Sequence, residues 1–451
     1  MRSYALALLL VFGGSIYADD KGGRTAEAES ELTEAHQASI AALKTLGVKV
    51  SSASLFFQNS TTVELEDRDI TEEIIGHLSN LNHLTISVTV PSANLDRLDH
   101  LPNLQSLSIG HPTITDAELQ LLNGITNLRK LNLTRSKVTD SGLAGLNGLT
   151  GLRELFLNHT HITDKGLVAL ERMPDLESLH LGSVYEPSQG AVTGSGLKHL
   201  AKLRRLGALD LTGMPITDAG LRHLPALAGL SWLALNNTKI GDDSLSHLAQ
   251  LKHLTNLHLE NTKVGDTGLE HLKECPLRRL DLSGTRITDA GVKTLRGMAH
   301  LSWLDLGYTD VSDASLSTVE GFHSLDVLKL SGTNVTDHEL KRLRGLPKLR
   351  VLTLSDTIIS DTAMQDIRHV PYLYLERTQI TDKGLEALAR STQLEWLNVC
   401  GTDVSDEGVR HLKNMPTLRW LFAVDTKVTE NGISELKMAI PNLTALRKFS
   451  E

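Results

Sequence analysis

The sequence predicts an α/β solenoid, in which short coils stack into a curved rod with a parallel β-sheet on its concave face and short α-helices on its convex face. A unit of the form L-x-x-L-x-L-x-x-T-x-[IV]-[TS]-D-x-G-L-x-x-L recurs about every 24 residues, and six successive copies begin at Leu230, Leu254, Leu277, Leu301, Leu325 and Leu349. Aromatic residues make up only 4% of the chain, which indicates an aliphatic core. A fixed period of this kind is typical of a repeat protein, so the 451 residues form one continuous stack rather than several globular domains.

One unit, Leu254 to Leu272, illustrates the predicted local structure. Its first leucines alternate with polar residues from Asn256 to Leu259, and this period of two predicts a short strand with one buried face. Asp266 then begins a predicted short helix, whose leucines point back toward the same core. A single unit cannot bury its apolar face alone, so neighbouring units must stack and their strands must form one parallel sheet.

The predicted organisation has four parts. Residues 1–18 read as a signal peptide, because one arginine precedes an apolar stretch too short to span a bilayer. Residues 19–58 read as a polar leader followed by a capping helix over residues 32–46. Residues 59–446 hold about 16 repeats, counted by the strand pattern, and residues 447–451 form a short tail. We therefore expect an exported protein, periplasmic or secreted.

The net charge and the cysteine content restrict the class of partner and the cellular compartment. The net charge of −9 is spread along the chain, which argues against nucleic acid and against an anionic membrane surface. The two cysteines, Cys275 and Cys400, lie about five repeats apart, beyond the reach of a disulfide. Export without disulfides points to a bacterial envelope or exterior. No cofactor or metal site is expected, because none of the familiar catalytic, phosphate-binding or zinc-binding motifs is present.

Two periodic rows of polar residues are expected to be structural. An aspartate recurs where each helix should begin, and its oxygens are expected to accept backbone N–H groups there; these residues are Asp116, Asp140, Asp164, Asp218, Asp242, Asp266, Asp289, Asp313, Asp337, Asp361, Asp382 and Asp406. A threonine recurs where the strand turns into the core, and its hydroxyl is expected to satisfy buried backbone groups; these residues are Thr160, Thr238, Thr262, Thr285, Thr309, Thr333, Thr357, Thr378, Thr402 and Thr426.

These patterns resemble the leucine-rich-repeat family. The L-x-x-L-x-L core followed by Ile-Thr-Asp-x-Gly-Leu is similar to the repeats of F-box leucine-rich-repeat proteins and, more distantly, of ribonuclease inhibitors, although the chain has no room for an F-box. The threonine form of the repeat and the leader Ala41 to Gly47 look most like exported bacterial leucine-rich-repeat proteins. The resemblance covers roughly residues 36–446 and implies binding of proteins or other macromolecules.

The positions of the aromatic residues carry the functional prediction. Aromatic side chains recur at the two strand positions that alternate with buried leucines and should face the concave sheet; these residues are Phe156, Trp232, Trp303, Tyr372, Tyr374, Trp396, Trp420 and Phe422. Five of them, from Tyr372 to Phe422, fall on three adjacent repeats and predict a hot spot for a ligand. An insertion at residues 182–191 offers Tyr185 as a second contact. The alternative interpretation is that the rings only stack along the sheet and stiffen it.

The sequence therefore predicts a non-enzymatic exported scaffold that holds a protein or another macromolecule on its concave sheet. Recognition of carbohydrate through the same aromatic residues is the alternative, and a purely structural envelope component is a further one. We expect Trp396→Ala or Trp420→Ala to weaken binding by about 2 kcal/mol or more with little change in stability.

Overall fold

The structure is a computed structural model that describes residues 34–53, 60–65, 71–81, 84–88, 95–183 and 191–447. The predicted signal peptide, the polar leader, the last residues of the tail and Tyr185 lie outside these described residues. None of the described helices is long and apolar enough to cross a bilayer.

The described part of the chain forms one continuous sheet of 18 strands, which follow one another in chain order. All neighbouring pairs from β2 to β18 are parallel, as the repeat predicts, and β1 pairs with β2 in the antiparallel sense. The strand bounds are β1 Lys49–Ala53, β2 Ser60–Leu65, β3 Leu84–Val88, β4 Leu104–Ser108, β5 Lys130–Asn132, β6 Glu154–Phe156, β7 Ser178–His180, β8 Ala208–Asp210, β9 Trp232–Ala234, β10 Asn256–His258, β11 Arg279–Asp281, β12 Trp303–Asp305, β13 Val327–Lys329, β14 Val351–Thr353, β15 Tyr372–Tyr374, β16 Trp396–Asn398, β17 Trp420–Phe422 and β18 Thr444–Leu446.

Short helices connect the strands on the other side of the coils. The α-helices are Glu34–Thr45, Glu72–Leu78, Asp116–Gln120, Asp140–Gly145, Asp218–Leu221, Asp242–Leu248, Asp266–Leu269, Asp289–Thr294, Asp313–Val319, Met364–Ile367, Asp382–Leu388, Asp406–His411 and Glu430–Ala439. The remaining segments are 3₁₀-helices at Leu95–His100, Leu121–Gly124, Gly166–Arg172, Ser195–Lys202, Leu224–Ala226, Glu270–Leu272, Asp337–Gly345, Asp361–Ala363 and Leu412–Asn414. A coil of about 24 residues leaves only a short segment between its strand and the next one, so short 3₁₀-helices often replace α-helices there.

The core is a continuous aliphatic column between the sheet and the helices. The central residue of each inner strand, such as Leu257, is fully buried, and so are the leucines that the helices direct inward, such as Leu269 and Leu272. Burial of one leucine contributes roughly 1.5–3 kcal/mol, which explains why the pattern tolerates so little variation at these positions. Strands lie closer together than helices can pack, so the stack curves with the sheet on its concave side.

The threonine row has the structural role that the sequence predicts. In all ten repeats the hydroxyl donates a hydrogen bond of 2.5–2.8 Å to the carbonyl oxygen three residues earlier, for example from Thr309 to Leu306. These carbonyls lie at the end of each strand, where the chain leaves the sheet and the backbone ladder no longer satisfies them.

The aspartate row is also structural, but its partners differ from the prediction. The preceding Thr or Ser caps most of these helices, and each aspartate instead reaches the next repeat. All twelve carboxylates accept a backbone N–H of that repeat at 2.6–3.2 Å, as Asp289 does from Ser312. The close contact requires glycine nearby, because a Cβ at Gly291 would lie 2.2 Å from Asp266 Oδ1. The row therefore joins successive repeats.

The N-terminal end of the sheet differs from the repeats. The helix Glu34–Thr45 buries Leu43 completely, and Ile40 and Leu46 pack against the core. The antiparallel strand β1 follows it and covers the first edge of the sheet. The sequence did not predict β1, since Lys49–Ala53 has no leucine pattern.

Candidate functional site

The register of the sheet decides which aromatic residues meet on the concave face. Tyr372, Trp396 and Trp420 occupy equivalent positions on β15, β16 and β17, and Asn398 separates Tyr374 from Phe422 in the adjoining row. Neighbouring strands lie about 4.8 Å apart, so large rings on successive strands must touch. The five residues that the sequence predicts as a hot spot are indeed brought together.

Three of these residues form a dry aromatic cluster, which we define as Tyr374, Trp396 and Phe422. The Trp396 ring lies 4.7 Å from Phe422 and 5.8 Å from Tyr374 between ring centroids, and only 5% of Trp396 is exposed. The cluster continues through Val327 and Val351 and is separate from the leucine core. Its rings cover one another on the concave side rather than offering free faces to a ligand.

This burial corrects the expectation that all the predicted hot-spot rings are exposed, and with it the expectation that Trp396→Ala changes stability little. Trp420 is 38% exposed and lies 5.5 Å from Trp396, and Tyr372 is half-buried beside the cluster. The Tyr372 hydroxyl donates to Glu395 at 3.0 Å, and Arg350 lies 5.7 Å above its ring. Trp420 and Tyr372 are therefore the accessible members of the predicted hot spot. The binding role of all nine predicted residues stays a prediction.

Phe156, Trp232 and Trp303 lie in a second group, which we call the histidine row. Two histidines alternate with them: Phe156 stacks on His180 at 4.4 Å, and His258 lies 5.5 Å from Trp232 and 6.2 Å from Trp303. Trp303 also contacts the dry cluster, so it joins the two groups. The sequence did not single out either histidine, although both occupy the same concave positions as the aromatic residues.

Each histidine of this row faces a carboxylate on the next strand; Asp281 is buried and Asp210 is partly buried. His180 Nδ1 lies 3.6 Å from Asp210 Oδ2, and His258 Nδ1 lies 3.8 Å from Asp281 Oδ2. Burial disfavours the charge on Asp210, but hydrogen bonds from His180 and Thr212 outweigh it and hold the pKa of this carboxyl below its usual value. The same balance lowers the pKa of Asp281.

A polar cavity of about 530 Å³ opens at the carboxyl ends of strands β10 to β15. Its lining combines both signs of charge with two tyrosine rings; it includes Glu260, Asp305, Tyr308, Lys329, Asp356, Tyr374, Glu376 and Arg377. Tyr374 belongs to both the cavity and the dry cluster, so the two features adjoin. The volume is within the range of sites that hold a small molecule or a few side chains.

Four lining residues other than glycine, namely Asn261, Tyr308, Asp356 and Arg377, lie on turns with left-handed backbone geometry. Tyr308, Asp356 and Arg377 each directly precede a threonine of the structural row and have φ values of 56°, 59° and 53°. Glycine and asparagine usually occupy this left-handed region, whereas a bulky tyrosine there is strained. Gly332 in the next repeat makes room for the ring, since a Cβ there would lie 2.4 Å from Tyr308 Cδ1.

Three of these turn residues are connected across three repeats. The Tyr308 hydroxyl donates to Asp356 Oδ2 at 3.1 Å, although 62% of Tyr308 remains exposed. Arg377 donates to both oxygens of Asp356, at 2.5 and 2.6 Å. The guanidinium beside Asp356 holds the pKa of that carboxyl below its usual range. The result is a preformed polar wall at one side of the cavity.

Two other carboxylates of the lining, Glu260 and Asp305, have pKa values above the usual range. Burial, together with the nearby Asp281 and Asp305, raises the pKa of Glu260. Burial also raises the pKa of Asp305, although Lys329 lies 3.0 Å from it and opposes the shift. The cavity thus places negative charge where solvent is restricted.

Sequence reasoning missed Tyr308 and did not distinguish the cavity residues from other charged positions. A signal did exist, because most repeats place Gly, Asn or Asp directly before the structural threonine, and Tyr308 departs from that rule. No group of three His, Cys, Asp or Glu residues in the described part of the chain is arranged to hold a metal ion.

The repeats of this chain match known family models. Family models described as leucine rich repeat match residues 275–335 and, in a second model, residues 124–146, 149–170, 250–273 and 367–389. No curated protein matches the sequence.

Several solved structures are similar to this chain. A leucine-rich-repeat protein of Leptospira interrogans is 16% identical, with 83% of this chain and 92% of that chain covered and a TM-score of 0.51. An internalin from Listeria monocytogenes is 19% identical, with coverage of 86% and 87% and a TM-score of 0.43. A chain of the mouse RP105/MD-1 complex is 18% identical, with coverage of 82% and 79% and a TM-score of 0.45. The family models, the repeating coils and the parallel sheet together identify the chain as a leucine-rich-repeat protein, and the Leptospira interrogans structure shares its fold.

Proposed function

We propose that this protein is a non-enzymatic scaffold, exported from a bacterial cell to the periplasm or beyond, that binds an extended polypeptide along its concave sheet. Leucine-rich-repeat scaffolds commonly mediate protein binding. The observation that carries the proposal is the preformed concave site, in which a polar cavity adjoins exposed aromatic rings on a rigid base. A preformed surface loses little entropy when a ligand binds.

The aromatic residues have different roles in binding. Trp420 and Tyr372 are the contacts with the ligand, because their rings remain accessible. Tyr374, Trp396 and Phe422 hold those rings in place from below. Trp303, Trp232 and Phe156 extend the surface toward the N-terminal repeats, and Tyr185 of the insertion contributes from outside the described residues.

One arrangement on the concave face has the form of a catalytic triad, and its context supports a structural role. Ser178 Oγ lies 2.9 Å from His180 Nε2, whose other nitrogen faces Asp210. Ser178 and His180 are buried, and neither lines the polar cavity. The next such histidine, His258, has Asn256 in the serine position, so the pattern recurs without a nucleophile. This recurrence favours a binding scaffold over a hydrolase.

A selection of random dodecapeptides displayed on phage tests the proposal. We expect the protein to enrich specific peptides, and Trp420→Ala to weaken their binding by about 2 kcal/mol, or roughly 30-fold, while the melting temperature stays nearly constant. Met438→Ala is the matched control, since Met438 is an exposed apolar residue on the last helix, away from the sheet. Failure to enrich any peptide, or equal losses for both variants, would contradict the proposal.

Recognition of a glycan is the second candidate, because exposed rings on a flat sheet can stack on sugars and cell envelopes are rich in polysaccharide. Retention on polysaccharide resins that is abolished by Tyr372→Ala or Trp420→Ala would favour it. Peptide enrichment without such retention would favour the polypeptide ligand.

A further inference from the structure

The cations that line the cavity are already engaged by lining carboxylates. Lys329 pairs with Asp305 at 3.0 Å and also lies 4.7 Å above the Trp303 ring. Arg377 holds Asp356 through two hydrogen bonds. The lining carboxylates outnumber these cations, because Glu260 and Glu376 face the same space.

The carboxylates of Glu376 and Glu260 have different surroundings. Glu376 accepts hydrogen bonds from Ser355 and Asn398, so neutral donors support it. Glu260 is half-buried, and within the described residues its side chain accepts only one long hydrogen bond, of 3.4 Å from Asn261, and forms no ion pair. The raised pKa of Glu260 follows from this burial and from the neighbouring Asp281 and Asp305. Ionised Glu260 is therefore costly to the folded protein.

The shape of the cavity favours one way to offset this cost. Its lining combines carboxylates with Tyr308, which is 62% exposed, and the whole space measures about 530 Å³. A cation over an aromatic ring and next to a carboxylate is stabilised by both. The protein uses the same combination internally, where Lys329 lies between Asp305 and the Trp303 ring.

We propose that the cavity receives a lysine or arginine side chain of the polypeptide ligand, with Glu260 as its counter-ion and Tyr308 as the ring beside it. This inference rests on the proposed function and names the chemistry of its ligand. The strained turn at Tyr308 fits such a role, since strain and unpaired charge are commonly retained where a ligand compensates for them. Trp420 and Tyr372 then contact an apolar part of the same ligand on the neighbouring repeats.

The test uses the same dodecapeptide library, selected in parallel on the wild-type chain, Glu260→Gln and Glu274→Gln. Glu274 is an exposed glutamate outside the cavity, so its variant makes the same change of charge elsewhere. We expect the wild type and Glu274→Gln to enrich peptides with lysine or arginine, and Glu260→Gln to lose that preference. One enriched peptide, synthesised with lysine or with acetyl-lysine, should bind the wild type roughly tenfold more tightly in the unmodified form.

Stability separates this role from a structural one. Glu260→Gln should leave the melting temperature unchanged or raise it, because it removes a half-buried charge that has no ion pair among the described residues, while it weakens binding of the lysine peptide. Enriched peptides without a basic bias, or equal affinity of both proteins for the lysine peptide, would overturn the inference and leave the scaffold proposal standing. If no peptide is enriched on any protein, the scaffold proposal and the inference fall together.

Discussion

The histidine row and the dry aromatic cluster occupy the same face of the same sheet and are built differently. In the histidine row, charged or polar groups separate the rings, and the carboxylates of Asp210 and Asp281 lie against the two histidines. In the cluster, rings and valines contact each other directly and exclude water. The leucine, threonine and aspartate frame beneath them is the same. The difference shows that one scaffold supports either a polar or an apolar concave surface. The choice depends on two positions in each repeat, the first and third residues of its short strand.

The largest expected effect compares the central tryptophans of the two regions. Trp396→Ala should lower the free energy of unfolding by about 3–5 kcal/mol, since it leaves a cavity inside the dry cluster. Trp232→Ala should cost about 1 kcal/mol or less, because Trp232 is half-buried beside polar neighbours. Urea unfolding followed by circular dichroism measures both. Equal losses would mean that the two regions do not differ in packing as described.

A second prediction examines the charge that distinguishes the histidine row. Asp210→Asn should lower the free energy of unfolding at pH 7 by about 1–2 kcal/mol, since it weakens the hydrogen bonds that a partly buried carboxylate accepts from Asn158 and Thr212. The exposed Asp310→Asn is the control and should change little.

The pH dependence of this difference has a defined sign. The pKa of Asp210 is lower in the folded chain than in the unfolded chain, so its contribution is fully present above about pH 5 and is lost as the pH falls through the folded value, below about pH 4. Wild type and variant should therefore converge in acid. A difference that grows as the pH falls would contradict the assignment. Glu260 and Asp305, whose pKa values are raised, contribute in the opposite direction.

The smallest effect tests whether the frame is common to both regions. Thr238→Val, in the repeat of Trp232, and Thr402→Val, in the repeat of Trp396, each remove a buried hydroxyl that donates to a carbonyl. Both should cost about 1 kcal/mol, to within a few tenths. Melting curves of the two variants provide the measurement, and a clear inequality would show that the concave side chains alter the frame beneath them.

Much of the fold could be predicted from the sequence because its contacts repeat. The leucines, the threonine row and the parallel order of the strands each depend on residues within one repeat or on the same position in the next one. The aspartate row was predicted to lie at helix starts, but its reach into the following repeat depends on how closely two coils approach. Strand β1 escaped prediction because it pairs through its backbone and carries no pattern of its own.

The candidate site was predicted less completely. The sequence located the aromatic residues on the concave positions, yet it did not indicate that Trp396 is covered while Trp420 remains accessible. It also missed Tyr308, whose ring extends along the sheet to Asp356, two repeats away. The cavity is lined by residues from Glu260 to Arg377, so no single repeat contains enough of it to be recognised.

The sequence alone determined the architecture of this protein, because a period of about 24 residues with buried leucines has one compact solution, the stacked coil. Only the tertiary structure decided which concave side chains face solvent and which enclose the cavity. The physical reason is the spacing of the strands, about 4.8 Å, which forces side chains from three or more repeats to share one surface. Their exposure therefore depends on neighbours that lie 20 to 50 residues away in the chain.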